Sequence, residues 1–252
     1  MPFITGGDPD IESTEKLIHA LVKAGADAIE IGVPFSDPIA EGPIIQKASE
    51  RALRAGCTVD KLLDLVLRVR ADVSIPILLM TYYNPVFVYP IERFAKRCAE
   101  CGVDGLIVPD LPFEERGDLL AACREHGVEI ISLIAPTSKT RIKRIAQESS
   151  GFMYCVSSLG VTGVRSNLDN SAQQMIEQVR QAREIPCAVG FGVSTPQQAH
   201  EIAQFADGVI VGSALVALIG MHGRDCEKPV YQFAREIKRS IMRAQYTQNS
   251  KG

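Results

Sequence analysis

No apolar stretch in this sequence is long and clean enough to cross a bilayer. The longest uncharged run, residues 73–91, is broken by Pro76, Pro85 and Pro90 and carries Asn84, which rules out a spanning helix. The N-terminus shows no basic segment leading into an apolar core, so no secretory signal is expected. A basic excess is missing too. With 27 Lys and Arg against 30 Asp and Glu, the net charge is −3, which argues against nucleic acid or an anionic membrane as the main partner. Paired cysteines are scarce: of seven, only Cys98 and Cys101 form a C-x-x-C, with no second pair or suitably spaced histidine to complete a zinc site. The seven read as reduced, buried thiols of a cytoplasmic protein.

What is present is an alternation of strand-like and helix-like segments from end to end. Strands are expected at Phe3–Thr5, Ala28–Val33, Ile77–Tyr82, Leu106–Val108, Ile130–Ala135, Phe152–Val156, Ala188–Phe191 and Val209–Val211. Between them lie amphipathic helices, the first capped by Ser13 and one started by Ser194-Thr195-Pro196. Eight such units imply a parallel sheet with helical crossovers. The count and the 252 residues fit an α/β protein of the (βα)8 barrel type; an open doubly wound sheet is the rival. No linker or composition shift divides residues 1–252, so one domain is expected, with 241–252 fraying as a polar tail.

The stretch that asks for explanation is Glu30-Ile-Gly-Val-Pro-Phe-Ser-Asp-Pro-Ile-Ala-Glu-Gly-Pro43. Along its strand Ile29, Ile31 and Val33 share one face, while Glu30 shares the other with Ala28 and Gly32. A carboxylate among small residues inside a sheet is costly unless partnered. It is either a structural acid satisfied by a hydroxyl or loop arginine, or a functional group near the strand end where barrel sites lie. A second acid, Glu41, sits on the proline-stiffened loop that follows. No Lys, Arg or His falls within any predicted strand. That removes a Schiff-base lysine and leaves the four histidines off the strand ends, away from any metal-assisted site. Carboxylate acid–base chemistry remains, with Tyr154 or Tyr82 as helpers.

Three glycine-bearing loops follow consecutive strands: Gly163, Gly190-Phe191-Gly192 and Gly212-Ser213. Such loops with helix N-termini bind phosphate in barrels, although glycines also serve tight turns. The Gly-x-Gly is not a dinucleotide fingerprint, because no third glycine follows at the required position.

The run from Glu30 to Pro43 closely resembles the signature of the tryptophan synthase alpha chain family. Pro2-Phe-Ile-Thr-Gly-Gly-Asp-Pro9, Gly160-Val-Thr-Gly163 and Gly190-Phe-Gly-Val-Ser194 resemble it as well. The likeness spans nearly the whole chain. It implies a (βα)8 barrel that cleaves indole-3-glycerol phosphate to indole and glyceraldehyde 3-phosphate in tryptophan biosynthesis. Indole then passes to a beta chain in an alpha2beta2 hetero-tetramer; the pyridoxal phosphate belongs to that beta chain, and no cofactor or metal is implied here. By the same resemblance Glu30 is the catalytic strand glutamate, and Glu41 stands where the family usually has an aspartate beside the indole N–H. Phosphate would be held by Gly163, Gly192, Gly212 and Ser213. Phe3, Tyr82, Ile134, Tyr154 and Phe191 would line the indole pocket, and Thr162 would sit on a lid.

Two features depart from the family pattern. Glu41 is one methylene longer than aspartate, and the sequence begins almost at the first expected strand, where relatives usually carry a leading helix: either the start is late or the barrel bottom is open. Two competing readings remain at this level. One is a subunit that docks on and activates a beta chain with weak chemistry of its own, for which the loops Pro34–Pro43 and Tyr83–Val88 would face the partner. The other is another phosphosugar barrel, such as an epimerase-like isomerase, against which the missing metal ligands count.

Overall fold

The computed structural model describes residues 1–156, 168–190 and 192–249, with only the backbone described at 139, 168–170 and 246–249. The first half runs β1 (Phe3–Thr5), α1 (Ile11–Ala24), β2 (Ile29–Gly32), α2 (Pro43–Arg54), α3 (Val59–Val69), β3 (Ile77–Met80), α4 (Tyr83–Val88), α5 (Ile91–Cys101), β4 (Gly105–Ile107), α6 (Gly117–His126) and β5 (Glu129–Ile130). The second half runs β6 (Ser132–Ile134), α7 (Ile142–Glu148), β7 (Met153–Val156), α8 (Leu168–Ala182), β8 (Cys187–Gly190), α9 (Pro196–Ile202), β9 (Gly208–Ile210), α10 (Ser213–His222) and α11 (Glu227–Asn249).

All strand pairs are parallel, in the order β1-β2-β3-β4-β5 and β6-β7-β8-β9. Two seams close the ring. At one, Val211 bridges Pro2, and the Phe3 amide donates to Val211 O at 2.8 Å. At the other, β5 and β6 are one stave interrupted at Ile131, whose amide still donates to Leu106 O at 2.9 Å. The stave pairs with β4 below this residue and with β7 above it. The fifth strand, expected unbroken over Ile130–Ala135, is therefore divided, and the ring has eight staves. Closure settles the choice between the barrel and the open sheet.

Strand alternation sorts the side chains. Leu78, Ile107, Ile131, Tyr154, Ala188 and Ile210 pack together inside the ring. Ile4, Ile31, Leu79, Leu106, Cys155, Val189 and Val209 face outward into the much larger layer shared with the helices. All seven cysteines are free and buried, and among the described residues no helix is long and apolar enough to cross a membrane.

Local chemistry accounts for the helix ends, including some that differ from expectation. The cap of α1 is Asp10, whose Oδ1 accepts from the Ser13 amide at 2.7 Å; Ser13 itself lies in the first turn. Thr195 and Gln198 form a reciprocal capping box at α9, with Pro196 at its first position. Both α6 and α7 are preceded by a 3₁₀ turn. The short α4 is an addition to the expected elements. Pro85 fits its first turn, where a missing amide leaves no intrahelical bond unmade. The tail expected to fray from residue 241 instead continues α11 to Asn249, held by Ala244, which is buried against the core.

One ion pair joins the first loop to the helix over the site. Asp8, fully buried, accepts two bonds from Arg51 of α2, both at 2.8 Å. Removing one partner of a buried pair leaves the other uncompensated. Asp8→Ala is therefore expected to cost about 2–4 kcal/mol, as a lower midpoint in urea unfolding.

Candidate active site

Because every strand is parallel, the loops that follow them gather at one end of the barrel. Glu30 lies on β2 in register with Phe3 on one side and Leu78 on the other, and all three point inward. The small residues around it have specific tasks. A Cβ added to Gly32 would lie 2.6 Å from Phe3 Cζ, so the glycine leaves room for that ring. Gly190 does the same for Tyr154, whose ring carbon would be 2.8 Å from an added Cβ. Phe3 in turn lies against Gly212, 3.4 Å from where a Cβ would stand. Glu30, Phe3, Gly212 and Ser213, the first residue of α10, are thus brought to one mouth. Gly192, just past β8, has φ +76° with open space beside it.

The Glu30 carboxyl is completely buried. The Tyr154 hydroxyl donates to its Oε2 across 3.5 Å, and Oε1 has no hydrogen-bond partner among the described residues. Burial pushes Glu30 up to about 8 from an ordinary 4.5, and the N-terminal ammonium and Tyr154 pull it back only in part. Burial and the adjoining Glu30 push the Tyr154 phenol well up, so it acts as a hydroxyl donor. The only other buried side-chain oxygen without a partner among the described residues is Thr5 Oγ1.

Glu41 occupies the loop after β2 and is half-buried. The Tyr82 hydroxyl donates to its Oε2 in a short bond. Burial raises the Glu41 pKa and Asp110 adds to the rise, while the Tyr82 bond opposes it. Asp110, the strand-end acid after β4, is used by α4: it accepts from the Tyr83 amide at 2.9 Å.

The other residues expected at the site have different placements. Phe3 and Tyr154 face the interior of the ring. Ile134 does not: it shares register with Cys155 and packs in the outer layer, and Leu133, in register with Tyr154, is the inward residue. A one-residue step reverses the face of a strand side chain. Tyr82 is 3 % exposed and turns its oxygen to Glu41 and the loop backbone. Thr162, Gly163 and Phe191 lie outside the described residues. Met80 and Ile107, both inward and in register with each other, are absent from the sequence-based set. Counting every second residue from Leu78 would have found Met80.

An acid whose folded pKa exceeds its unfolded one retains a proton that the unfolded chain has released. The stability associated with Glu30 is thus fully present below about pH 4.5 and falls as pH rises to about 8. Glu30→Gln is expected to melt with the native chain near pH 4.5. At pH 8 it should be the more stable by a few kcal/mol, because each tenfold change in proton affinity is worth about 1.4 kcal/mol. Thermal melts across that range measure the difference.

The family model for the tryptophan synthase alpha chain matches residues 1–245. The alpha chain of Halalkalibacterium halodurans is 51% identical over 221 residues, covering 87% of this chain and 83% of the relative. That of Geobacter sp. (strain M21) is 47% identical over 243 residues, covering 96% and 91%. A solved structure of the a2b2 complex from Pyrococcus furiosus superposes with TM-score 0.87 at 38% identity, covering 94% of this chain and 96% of that one. With a closed barrel, an inward strand glutamate and a matching model over almost its whole length, the chain belongs to the tryptophan synthase alpha chain family.

Proposed function

We propose that this chain is the alpha subunit of a tryptophan synthase, a lyase that splits indole-3-glycerol phosphate into indole and glyceraldehyde 3-phosphate. The carrying observation is the Glu30 carboxyl, which is fully buried, shifted to about 8 and left with one oxygen unpartnered among the described residues. A carboxyl in that state is protonated at neutral pH and can act first as acid and then as base. It gives its proton to C3 of the indole ring, which places positive charge on the ring. The resulting carboxylate takes the proton of the neighbouring glycerol hydroxyl. The carbon–carbon bond then breaks, its electron pair returning to the ring while the hydroxyl carbon becomes the aldehyde. Glu41 stabilises the cationic ring electrostatically. The ring is its own electron sink, so neither step calls for a lysine, a metal or a cofactor.

Gly192, Gly212 and Ser213, with Gly163, would hold the phosphate through backbone amides and the N-terminus of α10. Phe3, Tyr154 and Phe191 would flank the indole, Thr162 would lie over it, and Met80 and Leu133 would complete the apolar wall. The seven free, buried cysteines accord with a reducing cytoplasm.

A beta chain carrying pyridoxal phosphate is the proposed partner. The loop after β2 and α4 expose Ile39 (81%), Phe87 (65%) and Val88 (72%) at the same end of the barrel, an apolar group suited to a protein surface.

Indole release from indole-3-glycerol phosphate, measured with and without a beta chain, tests the reading. Glu30→Gln should keep the fold and phosphate affinity while turnover drops about 10²–10⁴-fold; unchanged turnover would discard the mechanism. Glu41→Ala should lose about 10–100-fold and Glu41→Asp less, and full activity in the alanine variant would remove Glu41 from the site. Phe87→Asp should weaken beta-chain binding by about 10-fold or more with the melting temperature unchanged; equal affinity would place the docking surface elsewhere.

A further inference from the structure

Tyr82, expected to line the indole pocket, has surroundings that give it another task. The ring packs against Phe35 with centroids 5.2 Å apart. The phenol oxygen makes three hydrogen bonds. It donates to Glu41 Oε2 and accepts from the backbone amides of Ile39 at 3.0 Å and Ala40 at 2.7 Å. A hydroxyl has one donor and two acceptor positions, so this one is saturated within the chain and has nothing left for a substrate.

We propose that Tyr82 is a positioning residue that fixes the Glu41 carboxylate at the mouth of the barrel. The inference rests on the reading of Glu41 given above and deepens it. Two consequences of the geometry support it. First, Tyr82 lies two residues past the end of β3, at the N-cap position of α4, so its oxygen is anchored to the barrel and not to the loop it holds. The loop amides at 39 and 40 and the carboxylate at 41 are all referred to that one fixed atom. Secondly, glutamate has one more rotatable bond than aspartate. A donor at the carboxylate end removes that freedom and holds the longer side chain in a single position. Burial and Asp110 favour neutral Glu41, whereas the phenol donates to the charged form, the form needed beside a cationic ring.

The link also reaches the surface. The backbone pinned by Tyr82 belongs to Ile39 and Ala40, and the helix that begins just after it carries Phe87 and Val88.

The test is a double-mutant cycle on indole release with Tyr82→Phe and Glu41→Ala, alone and combined, with melting temperatures recorded. Tyr82→Phe keeps the ring and its packing on Phe35. In the native background it should lower kcat about 10-fold or more, with KM changed less than about 3-fold. In the Glu41→Ala background the same substitution should change kcat less than about 2-fold, because the group it positions is gone. Equal losses in both backgrounds, or a Tyr82→Phe variant as fast as the native chain beside a slow Glu41→Ala, overturn the positioning role alone. A fully active Glu41→Ala overturns this role together with the reading of Glu41 on which it rests.

Discussion

The burial of one carboxyl group sets the terms for the rest of the molecule. Glu30 could be made harmless by a loop arginine or a full set of donors, as buried acids in structural roles are. It has neither: one long bond from Tyr154 and one bare oxygen are all that the described residues supply. A closed ring of strands is what makes such an arrangement tolerable. The surrounding staves supply apolar neighbours on the inner face, and the outer faces carry a far larger hydrophobic layer that stabilises the fold independently. The buried acid is thereby insulated from the elements that hold the chain together.

Space around the acid is created by omission. Gly32 and Gly190 each lack the carbon that would collide with an aromatic ring, so the Phe3 ring fits against β2 and the Tyr154 ring against β8. The ionic pair between Asp8 and Arg51 acts on a larger scale, tying the turn after β1 to the helix after β2. The two acids are held by different means. Glu30 is fixed by the strand that carries it. Glu41 depends on a phenol from the segment just past the next strand.

Much of this was legible in the sequence because it follows from periodicity. Alternation placed Glu30 inward and its isoleucine neighbours outward, and the order of strands and helices was enough to suggest the barrel. The failures are of a different kind. Ile134 and Leu133 are both apolar, so composition could not say which faces in, and only their register with β7 decides it. Asp10 and Ser13 are both good caps, and the choice depends on where the chain turns. The role of Tyr82 is invisible to any local pattern, since its partners lie about forty residues away. Contacts between distant segments are set by the closed fold, and no local spacing encodes them.

The interruption at Ile131 gives the molecule a bipartite character. With β5 bonded to β4 and β6 bonded to β7, the cylinder consists of two curved half-shells that meet along two lines. Both acids and Tyr82 belong to the amino-terminal shell, whereas Tyr154, Gly192, Gly212 and Ser213 belong to the carboxy-terminal one. The Tyr154–Glu30 bond crosses between them. Neither shell alone holds all the groups proposed for the site. Parting the shells by even a small hinge would move Glu30 away from the loops proposed to hold phosphate.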